Sequence, residues 1–167
     1  IVQNPYKTMI RLSLLGLSAA VAAGILFVNL YNSLIDAPNW GADLPNSVLA
    51  ARQYFSVVNP GNFFRIISPI NQVLAAIAVV VCWKFGRERY IAIGSLVLAI
   101  LADVLTFGYF YPRNEIMFVA PIEGSIDTIR MAWEQWSAMN WFRSALCAVN
   151  AGLALVLLTT TSKKIAL

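Results

Sequence analysis

Of the 167 residues, 59% are hydrophobic and only 12% are charged, about half the charged fraction of an ordinary soluble domain. That balance excludes a soluble globular fold and defines an integral membrane protein with the lipid bilayer as its first partner. The net charge of +4 does not point to nucleic acid, because Lys and Arg flank apolar stretches instead of forming one basic surface.

Apolar stretches near 9–33, 66–85, 90–111 and 139–161 each read as a membrane span. The expected fold class is therefore an all-α four-transmembrane-helix bundle. It forms a single four-span domain over 1–167, with short helices in two outer loops, 34–65 and 112–138. The first stretch holds 25 residues from Met9 to Ser33. At about 1.5 Å per residue it exceeds a hydrocarbon core of about 30 Å and is too long for a cleavable leader, so it is expected to stay as a signal anchor. Gly16, Ala20 and Gly24, with Ala19 and Ala23 beside them, make a small-residue stripe suited to close helix packing, within the bundle or in a homo-oligomer. Asn29 and Asn32 share a face near the end of the span.

The first outer loop opens on Asp36-Ala37-Pro38-Asn39-Trp40-Gly41, a dense set of turn formers. After Pro45, Asn46 or Ser47 is placed to cap a short helix over about 47–57. Its Val48, Ala51, Tyr54 or Phe55, and Val58 fall at helical spacing. Asn59-Pro60-Gly61-Asn62 reads as a turn, from which Phe63, Phe64 and Arg65 lead into span two. There Pro69 occupies the first turn, and Asn71, Ala75, Ala78 and Cys82 share a face. A tight turn at 86–89 precedes span three, which carries Asp103 about 12 Å below its outer end and an aromatic tip of Phe107, Tyr109, Phe110 and Tyr111.

The second outer loop starts at Pro112-Arg113-Asn114-Glu115, and Pro121 with Gly124 separates the apolar 116–120 segment from a new helix. Ser125 is its expected N-cap, and Asp127 suits the positive end of the dipole. No Pro or Gly interrupts the pattern from Ile126 until Gly152, so this outer helix is expected to continue into span four. Ile129, Trp133, Trp136 and Asn140 share one face, and Asn140, Arg143, Cys147, Asn150 and Ala154 form an inward stripe. Trp133, Trp136 and Trp141 serve as interfacial aromatics or as an aromatic wall, with Trp83 at the opposite boundary.

Lys7, Arg11, Lys84, Arg87, Arg89, Lys163 and Lys164 flank the spans on one side with only Glu88 as counter-charge. The other side mixes Arg52, Arg65, Arg113, Arg130 and Arg143 with Asp36, Asp43, Glu115, Glu123, Asp127 and Glu134. The positive-inside rule then puts both termini in the cytoplasm and both long loops outside a cell membrane. The sequence has no His, which excludes His-ligated haem, His-containing zinc or copper sites and His-based triads. Cys82 and Cys147 lie at opposite depths and cannot pair. The loop acids do not form a metal site and no nucleotide-binding motif is present, so no metal or cofactor is expected.

Six residues carry the question of function: Asn29, Asn32, Asn71, Asp103, Arg143 and Asn150 sit inside apolar spans or at their ends, where lipid penalises them by about 2.5–3.5 kcal/mol for a central charge. Two accounts fit. In one, Arg143 pairs with Asp103 and the Asn amides complete a network that fixes helix register. In the other, the same groups line an outward-opening pocket for a hydrophobic small molecule. There Asp103 and Arg143 are the catalytic candidates, as base and as holder of a carbonyl, phenolate or carboxylate. Asn29, Asn32, Asn71, Trp136, Asn140 and Asn150 bind substrate.

The order of these features also resembles a known pattern: an Asn closing span one, Pro69 and Asn71 opening span two, the aromatic tip of span three, then W-x-x-x-N-x-x-R as Trp136, Asn140 and Arg143. It is similar to the anthrone-oxygenase-like family of four-span membrane proteins. The resemblance implies cofactor-independent oxidation of a polycyclic phenol by dioxygen, with Asn71, Asn140 and Arg143 as binding positions. A His-dependent mechanism cannot operate in a chain without His. The leading expectation is binding of a hydrophobic small molecule, with oxidation or isomerisation as its chemistry. The alternative is a non-catalytic accessory or assembly subunit with a protein partner.

Overall fold

A computed structural model describes residues 5–122 and 126–166. Among them there is no strand, and four helical runs are long and apolar enough to cross a membrane: Pro5–Gly41, Pro60–Cys82, Gly86–Val119 and Ile126–Lys163. The helices are α1 (Pro5–Tyr31), α2 (Ala37–Gly41), α3 (Asn46–Tyr54), α4 (Pro60–Cys82), α5 (Gly86–Leu105), α6 (Tyr111–Asn114) and α7 (Ile126–Ala166). The long helices close a ring in which α1 packs on α7, α7 on α5, α5 on α4 and α4 on α1. Large side chains point outward from all four, among them Phe27, Val73, Val97 and Leu155. An apolar exterior around a bundle with polar groups inside is the arrangement lipid selects.

The inward faces expected from periodicity are buried: Asn29 and Asn32 on α1 and the turn after it, Asn71, Ala75, Ala78 and Cys82 on α4, and Asn140, Arg143, Cys147, Asn150 and Ala154 on α7. The small-residue stripe is not. Ala20 and Gly24 are exposed and Gly16 has open space where a Cβ would go. The packed face of α1 is instead Ala19 and Ala22, against Ala151 and Ala154 of α7. Asn29 decides this rotation, because turning the glycines inward would turn that amide toward lipid.

The expected loops are largely helix. Span one does not end in a turn at Asp36: a π-helical turn, Asn32–Asp36, joins it to α2. The Ala37 N–H bonds back to the Asn32 carbonyl, and this wider turn accommodates Pro38, whose ring would collide with the carbonyl four residues earlier. A second π-helical turn, Thr106–Phe110, carries span three past Pro112 in the same way, and a third, Glu115–Val119, ends that run. The turn expected at Asn59–Asn62 is the start of α4, with Pro60 in its first turn and Asn59 and Asn62 forming a capping box. On α3 the buried face is Val48 with Ala51 and Phe55, while Tyr54 and Val58 are exposed.

The continuous helix expected from Ile126 into span four is present. Its expected cap Ser125 and the acid Glu123 lie outside the described residues, as does the side chain of Lys164. Trp141 is exposed, as an interfacial ring is, but Trp136 is buried and Trp133 donates its Nε1–H to the Ala37 carbonyl at 2.7 Å. These rings join α2, α3 and the third π turn in a hydrophobic cap of Trp40, Val48, Phe110, Met117, Ile129 and Trp136. Trp40 meets Trp136 and Phe118 edge-on, each at 5.0 Å.

At the opposite end the chain reverses over Trp83–Phe85, and residues 86–89 are the first turn of α5. Arg11 and Glu88, expected as flanking charges, are drawn inward there. Arg11 lies over the Phe85 ring at 3.7 Å and 3.9 Å from Cys82 Sγ, and Glu88 is buried. Cys82 and Cys147 are both buried free thiols.

Candidate functional site

All three π-helical turns border one cavity at the loop end: Asn32 from the first, Thr106 from the second, and Glu115, Phe118 and Val119 from the third. A π turn inserts a residue into the helical repeat and re-aims the side chains beside it, which is why such turns concentrate where a helix must do more than pack. The cavity measures about 430 Å³, within the range of small-molecule sites. Trp40, Phe55, Phe64, Tyr111, Phe118 and Trp136 form its aromatic wall, and Arg143, Arg52, Arg65 and Glu115 also border it.

Arg143 is set in place by its neighbours on α7 and α1. Asn140, with no exposed surface, donates Nδ2–H to the Asn29 carbonyl at 3.1 Å and to Ser33 Oγ at 2.7 Å. Its Oδ1 accepts from Arg143 Nε at 3.1 Å and from Nη2. The third guanidinium nitrogen, Nη1, donates to Thr106 Oγ1 at 3.2 Å. The guanidinium carbon lies 4.0 Å from the Phe110 ring centre and 5.5 Å from that of Phe64, a cation–π arrangement strengthened by exclusion of water. Arg143 is only 5% exposed, and its hydrogen bonds among the described residues go to neutral oxygens.

The pairing of Arg143 with Asp103 is therefore corrected. Asp103 accepts from Gln72 Nε2 of α4 at 2.7 Å. Three residues along a helix rotate a side chain by about 60° net, so Thr106 meets α7 while Asp103 meets α4. Neither Asp103 nor Asn71 borders the cavity, whereas Asn32, Trp136 and Arg143 do. Asn29 donates to the Ile25 carbonyl at 2.9 Å and to Cys147 Sγ at 3.7 Å. Asn150 accepts from Ser95 Oγ at 2.6 Å. Those two Asn residues stitch α7 to α1 and to α5, deeper than the cavity.

Sequence reasoning passed over Thr106, Phe64, Arg52 and Arg65 as site residues. Phe64 and Arg65 were assigned to a connection, and Arg52 only to the charge balance of a loop. Arg52 donates Nε–H to the Met117 carbonyl at 2.9 Å and Nη2–H to that of Ile116 at 3.4 Å, tying α3 down onto the third π turn. The one available signal was an arginine on the apolar face of a short helix, which needs acceptors in the cap it covers. Among the described residues no group of His, Cys, Asp and Glu could hold a metal ion. Compared with protein-family models, curated proteins and solved structures, the chain matches none.

Proposed function

We propose that this membrane protein binds a hydrophobic small molecule in the loop-end cavity, with a polar group of that molecule against Arg143. The carrying observation is a buried guanidinium with neutral partners on the wall of an aromatic cavity of about 430 Å³ to which all four spanning helices contribute. A charge kept in an apolar interior is costly unless something offsets it, and a ligand's oxygen does so. The distribution of Lys and Arg supports a loop end outside the cell membrane and cytoplasmic termini.

Kinship with the anthrone-oxygenase-like family belongs to the same proposal. Its support is that W-x-x-x-N-x-x-R acts as one unit: Trp136 and Arg143 border the cavity, and Asn140 ties Arg143 to α1. Among the described residues the carboxylate on the cavity wall is Glu115, and Asp103 faces α4. Binding, ahead of oxidation or isomerisation, is what the geometry supports best.

A second reading has its own observation. Ser95 with Asn150, Gln72 with Asp103 and Asn140 with α1 join neighbouring helices by polar pairs, as expected of an accessory subunit whose polar interior only fixes its fold. Purification followed by organic extraction and mass spectrometry separates the two. A small molecule retained by the wild type and lost from a monodisperse Arg143→Gln bundle is the expected result. An empty wild type, with Arg143→Gln simply misfolding, overturns ligand binding in favour of the accessory reading.

A further inference from the structure

The charges around this cavity narrow what it holds, given the ligand-binding reading on which this inference rests. Among the described residues three arginines border it against one carboxylate, Glu115. Their burial is graded: Arg143 lies in the inner wall, Arg52 is half-buried and Arg65 is exposed. Arg52 and Arg143 spend their hydrogen bonds on backbone carbonyls, an amide and a hydroxyl, which do not neutralise them; Asp103, hydrogen-bonded to Gln72, acts on Arg143 only through its field. Pro60 and Gly61, the first residues of the 23-residue α4, border the same space. Pro60 has no N–H and the capping box already occupies those of Asn59 and Asn62, so α4 adds to the field through the positive end of its dipole. A neutral apolar molecule would fill the aromatic wall and bring no anion to Arg143, whose hydrogen bonds go to neutral oxygens, and a bare inorganic anion would leave the aromatic wall unfilled.

We propose that the cavity selects an oxyanion-headed amphiphile, a phosphate or carboxylate on an apolar body. The head sits between Arg143, Arg65 and the start of α4, and the body lies against Phe64, Phe118 and Trp136. A guanidinium meets either oxyanion through two parallel N–H···O bonds. Arg65 at the rim raises the encounter rate in a salt-dependent way.

The test uses the full chain in phosphatidylcholine nanodiscs, titrated separately with dodecyl phosphate, dodecanoate, dodecanol and inorganic phosphate. Tryptophan fluorescence reports occupancy, since Trp40 and Trp136 border the cavity. The expected result is binding of dodecyl phosphate or dodecanoate about tenfold or more tighter than dodecanol and inorganic phosphate. Arg65→Gln should weaken that binding several-fold and reduce its salt dependence. Because Arg65 is exposed, this variant decides the matter even where Arg143→Gln fails to fold. Nanodiscs containing phosphatidylglycerol distinguish the source: competition with dodecyl phosphate identifies a bilayer headgroup, and its absence a free amphiphile. Equal affinity for dodecanol and dodecyl phosphate, or unchanged affinity in a folded Arg65→Gln protein, overturns the oxyanion class and leaves the cavity a small-molecule site. A protein that binds none of the four probes overturns both readings.

Discussion

Replacing Asn140 by Ala tests the site where its parts are most coupled. The substitution removes the two donations to α1, to the Asn29 carbonyl and to Ser33 Oγ, and the acceptor of Arg143 Nε and Nη2. Cross-helix hydrogen bonds in membrane proteins average about 0.6 kcal/mol each. Two N–H groups of a buried cation left without an acceptor cost more, about 1.5–3 kcal/mol. The expected destabilisation is therefore about 3–4 kcal/mol. Asn140→Asp should separate stability from charge: its carboxylate still accepts from Arg143, so more of the fold's stability is retained, but Arg143 is neutralised and oxyanion binding falls. Unfolding can be followed with a thiol-reactive fluorophore, because Cys82 and Cys147 are both buried. An Asn140→Ala protein within about 0.5 kcal/mol of wild type would refute the claim that Asn140 organises Arg143.

A Cβ at Gly41 would overlap the Trp133 ring, so Gly41→Ala should cost about 1–3 kcal/mol, read as a lower thermal midpoint. Ser95→Ala and Asn150→Ala should couple by about 0.6 kcal/mol and by less than about 2 in a double-mutant cycle, since they share the 2.6 Å bond; strict additivity would mean that the bond is not formed in the bilayer. In the folded protein neither Cys82 nor Cys147 should react with maleimide, and both should react on unfolding, checked by intact-mass analysis. Asn59→Ala removes a member of the capping box that starts α4 and should cost about 1 kcal/mol in equilibrium unfolding.

Spans and inward stripes were legible for a local reason. Whether Asn140, Arg143, Cys147 and Asn150 share a face depends only on helical period, and a charge or amide within an apolar run must turn from lipid. The short helix expected over about 47–57 is present as α3, but the segments around Pro38 and Pro112 were read as turns because proline and glycine clusters signal turns unless the backbone widens. The π-helical turn before Pro38 does that over Asn32–Asp36, and the one before Pro112 over Thr106–Phe110. The spacing of the small residues on α1 suits close packing within the bundle or in a homo-oligomer, and it is Asn29 on the same helix that decides against the first, because it has the larger stake in which face turns in.

The sequence by itself determined that the chain is an all-α bundle of four apolar helices, and it determined the polar face of the first, second and fourth, because length, composition and period are properties of single segments. Only the tertiary structure decided what those faces meet. It gave Asp103 to Gln72 and Arg143 to Asn140 and Thr106, and it brought Arg52 from the short outer helix, and Phe64 and Arg65 from what looked like a connection, to the same cavity. Partners across helices depend on rotation and depth relative to a neighbour, which no single segment encodes. The π turns lie beside the cap that packs on the bundle, with Phe110 of the second and Met117 of the third inside it.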